Sequence, residues 1–152
     1  MTCARIMTTD PVTLRDGDTV SKATRILLDN RFIILPVVTD GGIYKGQFGV
    51  FELARILLPR AATIEGEEFN LAFITDTIED LREKFAAQAA TAVRDHIRTD
   101  LPVLNPGTPI VETVLRIYRS RSPLPVVDEK TGRLVGVVSY WDAVAAIAGN
   151  NR

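Results

Sequence analysis

Two stretches of this chain, residues 4–17 and 94–107, are copies of one another. Thr9 matches Thr99, Asp10 matches Asp100, Leu14 matches Leu104 and Gly17 matches Gly107, all at an offset of 90 residues. The offset falls to 89 where Leu35-Pro36-Val37-Val38 meets Leu124-Pro125-Val126-Val127, and returns to 90 at Gly46 and Gly136. One residue lost before a strand and regained in the next turn is loop drift between duplicated folds. A repeat decides the architecture before any local reading does. Whatever the first copy folds into, the second must fold into again.

Each copy reads as β-α-β-β-α. In the first, Ala4–Met7 suggests a helical turn and Pro11–Leu14 a short extended segment. Asp18 is the predicted N-cap of a helix from about Thr19 to Asn30, with Val20, Ala23, Ile26 and Leu27 on one face. Ile33–Val38 is apolar and β-branched, as a buried strand would be, and Asp40-Gly41-Gly42 marks a turn. A second strand over Tyr44–Val50 and a helix over Phe51–Leu58 complete the copy, ending at Pro59. In the second copy Thr108 is the predicted cap. Pro109 follows at the first helical position, where a missing N–H costs nothing. Ile110, Thr113, Val114 and Ile117 form the inner stripe, and Leu124–Val127 and Leu134–Val138 are strands joined by Asp128–Gly132. The last helix, Trp141 to Ala148, stops at Gly149. A unit of about 55 residues cannot bury two helix stripes and both faces of a sheet alone. The expected fold is therefore α/β of the α+β kind, two repeats packed sheet to sheet about a pseudo-two-fold axis.

The domain limits follow: a first repeat over residues 1–58, a linker over 59–93 and a second repeat over 94–152. The linker repeats nothing. Asp76-Thr77-Ile78-Glu79 resembles an N-terminal cap, and Ile78, Leu81, Phe85, Ala89 and Ala92 recur at helical spacing. An amphipathic helix over about 76–93 is predicted, its stripe serving as core or as a dimer seam.

Composition excludes several classes of function. A net charge of −1 offers no basic field for nucleic acid. No apolar run approaches the roughly 18–20 residues that cross a bilayer, and the first residues lack the pattern of a signal peptide. The single cysteine, Cys3, cannot form an internal disulfide, which suits a reducing cytoplasm. His96, the only histidine, has no Cys, Asp or Glu around it at metal-ligand spacing. Arg116, Arg119 and Arg121 gather at the end of a helix, where cations suit the dipole and a solvated face is expected. No phosphate-binding lysine loop, nucleophile elbow or carboxylate pair points to catalysis.

One constellation does carry chemistry. In Gly136-Val137-Val138-Ser139-Tyr140-Trp141-Asp142 a strand runs directly into a helix, with Ser139 and Asp142 three residues apart. Free N–H groups and the positive end of the helix dipole make such a start an anion site. There Ser139 could hold a phosphate while Asp142 accepts from sugar hydroxyls. Ser-x-x-Asp is also a capping box that satisfies only the helix itself. Both readings stand on the sequence.

A duplicated β-α-β-β-α unit with Pro-Val-Val-Asp in its middle and Gly-x-x-Ser-x-x-Asp at its end resembles a CBS-domain pair, or Bateman module. The likeness covers roughly residues 4–58 and 94–148, with no further enzyme or channel domain, so a stand-alone pair is implied. Such pairs bind AMP, ADP, ATP or sometimes S-adenosylmethionine between the repeats and pass occupancy to a partner. The resemblance implies Ser139 for phosphate and Asp142 for ribose. Thr99, Pro102 and Val103 would line the adenine, and Ser122, Pro123 and Leu124 would close the pocket. At the matching positions the first copy has Gly49 and Glu52 in place of the hydroxyl and the shorter carboxylate. A degenerate second site there would involve Thr9, Thr13, Ile33, Gly49 and Glu52.

Composition and the resemblance together imply a cytoplasmic, non-catalytic sensor of adenine nucleotides needing no cofactor or metal. It would be a homodimer with an unidentified regulated protein as partner, and with neither nucleic acid nor membrane. The competing expectation is an interaction or scaffold protein whose CBS clefts are empty and whose Ser139 and Asp142 are only a cap.

Overall fold

The computed structural model describes residues 1–59 and 75–150. The first repeat consists of β1 (Leu14–Arg15), α1 (Val20–Asn30), β2 (Ile34–Val38), β3 (Tyr44–Gly49) and α2 (Val50–Leu57). After α3 (Ile78–Gln88), the second repeat has α4 (Ile110–Ser120), β4 (Leu124–Val127), β5 (Leu134–Val138) and α5 (Tyr140–Ile147). Each copy opens on a single 3-10 turn, at Cys3–Arg5 and Val93–Asp95. β1 pairs parallel to β2 and β2 antiparallel to β3. In the second copy β4 and β5 are antiparallel, and one parallel bridge, Leu104 to Val126, repeats the pairing of Leu14 with Val37.

The two copies exchange their leading segments. Thr8 and Val137 trade backbone hydrogen bonds at 2.8 and 3.0 Å, and the equivalent Arg98 and Gln47 do the same at 2.7 and 2.9 Å. Each segment therefore extends the other copy's sheet. Cys3, Ile6 and Met7 enter the core built on Leu104, Ile117, Leu124, Val126 and Val138. Val93 and Ile97 enter the one built on Leu14, Val20, Leu27, Leu35, Val37 and Phe48. Matching glycines make room for the crossing strands. A Cβ on Gly46 would lie 2.7 Å from the Arg98 carbonyl oxygen, and one on Gly136 would lie 2.8 Å from that of Thr8. Cys3 is fully buried, its thiol pushed up chiefly by burial, and it packs as a small apolar residue.

Three local expectations need correction. Thr19, not Asp18, caps α1, its side chain accepting from Lys22 N at 3.1 Å. Asp18 instead accepts from Arg15 N at 2.8 Å and closes the turn before it. Thr108 does not cap α4: Pro109 keeps an extended ψ of 148° and takes the cap position itself. Thr108 Oγ1 accepts from Asn105 N at 3.1 Å instead. Last, α3 ends at Gln88, short of the predicted residue 93. The first N–H groups of α1 draw the chain away, since Val20 N donates to Thr91 O and Ser21 N to Ala89 O, each at 2.9 Å. Ala92 is thereby bridged to Thr19 and leaves the helical stripe. The start of α3 is the predicted capping box, closed by Thr77 and Asp80, and Phe85 packs on the first core. The expected linker's residues 60–74 lie outside the described residues.

Candidate functional site

β5 delivers Ser139 to the mouth of a cleft of about 520 Å³ between the repeats. Ser139 is the N-cap of α5. Its Oγ accepts from Asp142 N at 3.1 Å, and Asp142 Oδ2 accepts from Ser139 N at 2.8 Å. The capping box is real. It engages one oxygen of Asp142 and leaves the Ser139 hydroxyl proton without a taker among the described residues. The next two N–H groups, on Tyr140 and Trp141, find no backbone acceptor among the described residues either. Both residues line the cleft. This is a helix start with donors to spare for an anion.

The opposite wall comes from the first repeat. Thr8, Asp10, Pro11 and Val12 arrive on the exchanged leading segment, and Asn30 to Pro36 arrive from the end of α1 and from β2. Pro11, Val12, Phe32 and Ile33 are apolar, and Trp141, 71% exposed, stands at the rim. Such a mixture of apolar faces and a few polar groups is characteristic of small-molecule clefts. Arg31 brings a cation into the same space. It holds a left-handed φ of 56° where helices usually end on glycine, and its counterpart Arg121 does the same at 52°. Tyr140 closes one end, its hydroxyl donating to the Arg121 carbonyl. Burial pushes that phenol up and the Arg121 charge opposes it.

The first repeat's helix start is built differently. β2 and β3 pair one residue further, to Ile34 and Gly49, whereas β4 and β5 stop at Leu124 and Val138. Val50 N, equivalent to Tyr140 N, is consumed by Ile33 O at 2.9 Å. A Cβ on Gly49 would lie 2.1 Å from that same oxygen, so no serine fits there without the strand moving. Gln47 fills the adjoining space, fully buried, with Nε2 3.4 Å from the Pro123 carbonyl. Glu52 is 2% exposed, and neither carboxylate oxygen has a partner among the described residues. Burial pushes its carboxyl up, against the pull of Arg98 and Arg55.

A family model described as CBS domain matches residues 3–59 and 93–149. This chain belongs to the CBS-domain family. Among similar solved structures, a CBS-domain-containing protein of unknown function from Bacillus anthracis is 12% identical. It covers 98% of this chain and 94% of its own, with a TM-score of 0.76. CBSX2 in complex with AMP is 18% identical over 99% of this chain and 98% of its own, with a TM-score of 0.72. The CBS domain pair of protein MJ0100, in complex with 5′-methylthioadenosine and S-adenosyl-L-methionine, is 18% identical over 98% and 97%, with a TM-score of 0.66. A curated homoserine O-acetyltransferase from Methanococcoides burtonii is 25% identical over 140 residues. The chain spans 91% of its own length in that match but only 22% of the relative's.

Within the CBS pair, the exchange of leading segments redistributes the residues singled out from sequence. Ser139, Pro123 and Ile33 share the wide cleft, beside the neighbours of Thr9. Asp142 is tied to Ser139 through the capping box and is not in the wall of the cleft. Thr9 is exposed, and neither it nor Thr13 lines the cleft. Thr99, Pro102 and Val103 are not in its wall. Thr99 and Val103 are exposed, and the Val103 carbonyl accepts from Arg116 at 3.1 Å. Ser122 and Leu124 are buried, Ser122 Oγ donating to the Pro123 carbonyl at 2.8 Å. Asp10, Asn30, Arg31 and Phe32 were not singled out from the sequence. Their one signal was an arginine just past α1 and again just past α4, in a place that favours glycine. Among the described residues no His, Cys, Asp and Glu group could hold a metal, and no helix is long and apolar enough to cross a membrane.

Proposed function

We propose that this chain is a non-catalytic regulatory module that binds an adenine nucleotide, AMP, ADP or ATP, in the cleft fronted by Ser139. The carrying observation is the start of α5, where a hydroxyl proton and two N–H groups without partners among the described residues adjoin a cleft that also holds Arg31. A phosphate on these donors would leave the base against Pro11, Val12 and Ile33, and the sugar within reach of the second oxygen of Asp142. The AMP complex of CBSX2 and the 5′-methylthioadenosine and S-adenosylmethionine complex of MJ0100 support an adenosine-containing ligand. S-adenosylmethionine, lacking phosphate, uses less of this site and is the weaker candidate.

Occupancy would be passed to a regulated protein through movement of the repeats against each other, in a cytoplasmic homodimer. The face of α4 and α5 carrying Val111, Leu115, Tyr118 and Ile147 is exposed and apolar, as a two-fold seam requires. The reading as an empty scaffold is favoured by the closed capping box alone. Titration of AMP, ADP, ATP and S-adenosylmethionine against the emission of Trp141, the only tryptophan, separates the two. A saturable change with the phosphate-bearing ligands is expected. Silence of both emission and melting temperature at millimolar ligand would leave the scaffold reading.

A further inference from the structure

Glu52, the third residue of α2, is buried, with both carboxylate oxygens shut off from solvent and without a partner among the described residues. A charge in such a place is costly unless a cation meets it. Water and solutes do not reach these oxygens, so a partner has to come from the chain itself. The charged and titratable groups around Glu52 are Arg55 on α2 and Asp95, His96, Arg98 and Asp100 on the leading segment of the second repeat. β3 brings the buried Gln47 and α3 brings Gln88, both neutral. Of the two cations, Arg98 pulls harder on Glu52 than Arg55 does.

The backbone of Arg98 is pinned. Its N–H donates to the Gln47 carbonyl at 2.7 Å, and its carbonyl accepts from Gln47 N at 2.9 Å. Its side chain is held far less firmly. Nε donates to Asp100 Oδ1 at 2.8 Å, while neither Nη makes a hydrogen bond among the described residues. The Asp100 side chain is 75% exposed, and an ion pair so open to water contributes little. Arg98 therefore rests on the weaker of two carboxylates.

We propose that Arg98 is a two-position latch governed by a proton on Glu52: it rests on Asp100 while Glu52 is a neutral acid, and turns inward to Glu52 once that carboxyl is charged. The structure holds the first position. Burial favours the neutral acid by penalising its charge, and Arg98 opposes that effect. Loss of the proton tips the balance, because an unpaired buried carboxylate gains more from a guanidinium than an exposed one does. The inward turn releases Asp100 and ties the second repeat's leading segment to α2 by side chains, beside the backbone rung at Gln47. Low pH sets the latch outward and higher pH sets it inward. Only one repeat carries the device. At the matching positions the second copy has Thr8 in place of the arginine, and Asp142, whose carboxylate already accepts from Ser139 N at 2.8 Å.

Nuclear magnetic resonance of the full chain across pH tests this, following Arg98 Nε and the Glu52 carboxyl carbon. Arg98 should show two transitions. One comes as Asp100 gains its proton, in the acid range to which Arg98 lowers it, and one comes at the Glu52 midpoint. Glu52→Gln should abolish the second and keep the first, whereas a transition due to His96 would survive that change. Asp100→Asn, a change at an exposed side chain, should lower the Glu52 midpoint by freeing Arg98. In an Arg98→Gln background that fall should shrink to the small, screened effect of Asp100 itself. The proposal is overturned if Arg98 shows no transition at the Glu52 midpoint, or if that transition survives Glu52→Gln. It is equally overturned if Asp100→Asn lowers the midpoint as much without Arg98 as with it.

Discussion

At the start of α5, Ser139 and Asp142 close a capping box and front an open cleft. At the start of α2, the matching Gly49 and Glu52 close no capping box and do not line that cleft. The difference is one more rung of β-ladder. Pairing Ile34 with Gly49 spends the first helical N–H of α2 on Ile33 O and leaves no room for a side chain at residue 49. Ending the ladder at Leu124 and Val138 leaves the equivalent N–H without a backbone acceptor among the described residues. Loss of the serine in the first copy is thus a change of packing as well as of chemistry. One repeat has been closed into scaffold while its twin keeps the donors.

The harshest test of that comparison is to write the serine back. Gly49→Ser must push the Ile33 carbonyl out of the ladder, at a cost of about 3 kcal/mol, the upper end for overpacking. The reverse change, Ser139→Gly, should cost only a few tenths of a kcal/mol as a cap while weakening AMP binding. Urea midpoints of the two variants check this. Equal losses would mean the two helix starts are not built differently.

Glu52→Gln comes next in size. Burial holds the Glu52 carboxyl above its ordinary value near 4.5, so the folded state binds the proton more tightly than the unfolded one. The resulting stability is full below that value and is lost as pH rises through the folded pKa. Where the parent's buried carboxyl is charged, above its folded pKa, the neutral amide should stabilise the chain by about 1 kcal/mol or more. Denaturant midpoints across pH should show a flatter profile above about 4.5 for the variant. An unchanged profile would show that Glu52 is solvated.

Asp142→Asn should alter stability little, by about 1 kcal/mol or less, because the amide oxygen can still accept from Ser139 N. Thermal melts without ligand check this. A larger loss would make the carboxylate chiefly a structural group.

Much of this was legible from the sequence because the duplicated patterns are local. β4 and β5 fall on their predicted residues, Leu124–Val127 and Leu134–Val138, since both are apolar runs rich in valine joined by the turn residues Asp128–Gly132. Which copy receives which leading segment was not legible. Residues 2–8 and 92–98 have the same local pattern whether they pair at home or across, and only the crossing puts Thr8 beside Val137. That one fact moves the partners of Ser139 from Thr99–Val103 to Thr8–Val12. Arg31 was hidden for another reason: its left-handed backbone is imposed by the end of α1 and runs against the ordinary preference of an arginine. The early end of α3 likewise depends on N–H groups of α1 about seventy residues away.

The central claim is that the cleft before Ser139, and not its counterpart before Gly49, takes the nucleotide. Calorimetric titration of AMP into the parent, Asp142→Asn and Glu52→Gln tests it most directly. The account predicts one AMP per chain in the parent, about tenfold weaker binding or more in Asp142→Asn, and unchanged binding in Glu52→Gln. Two equivalent sites per chain, or affinity lost in Glu52→Gln and kept in Asp142→Asn, would contradict it.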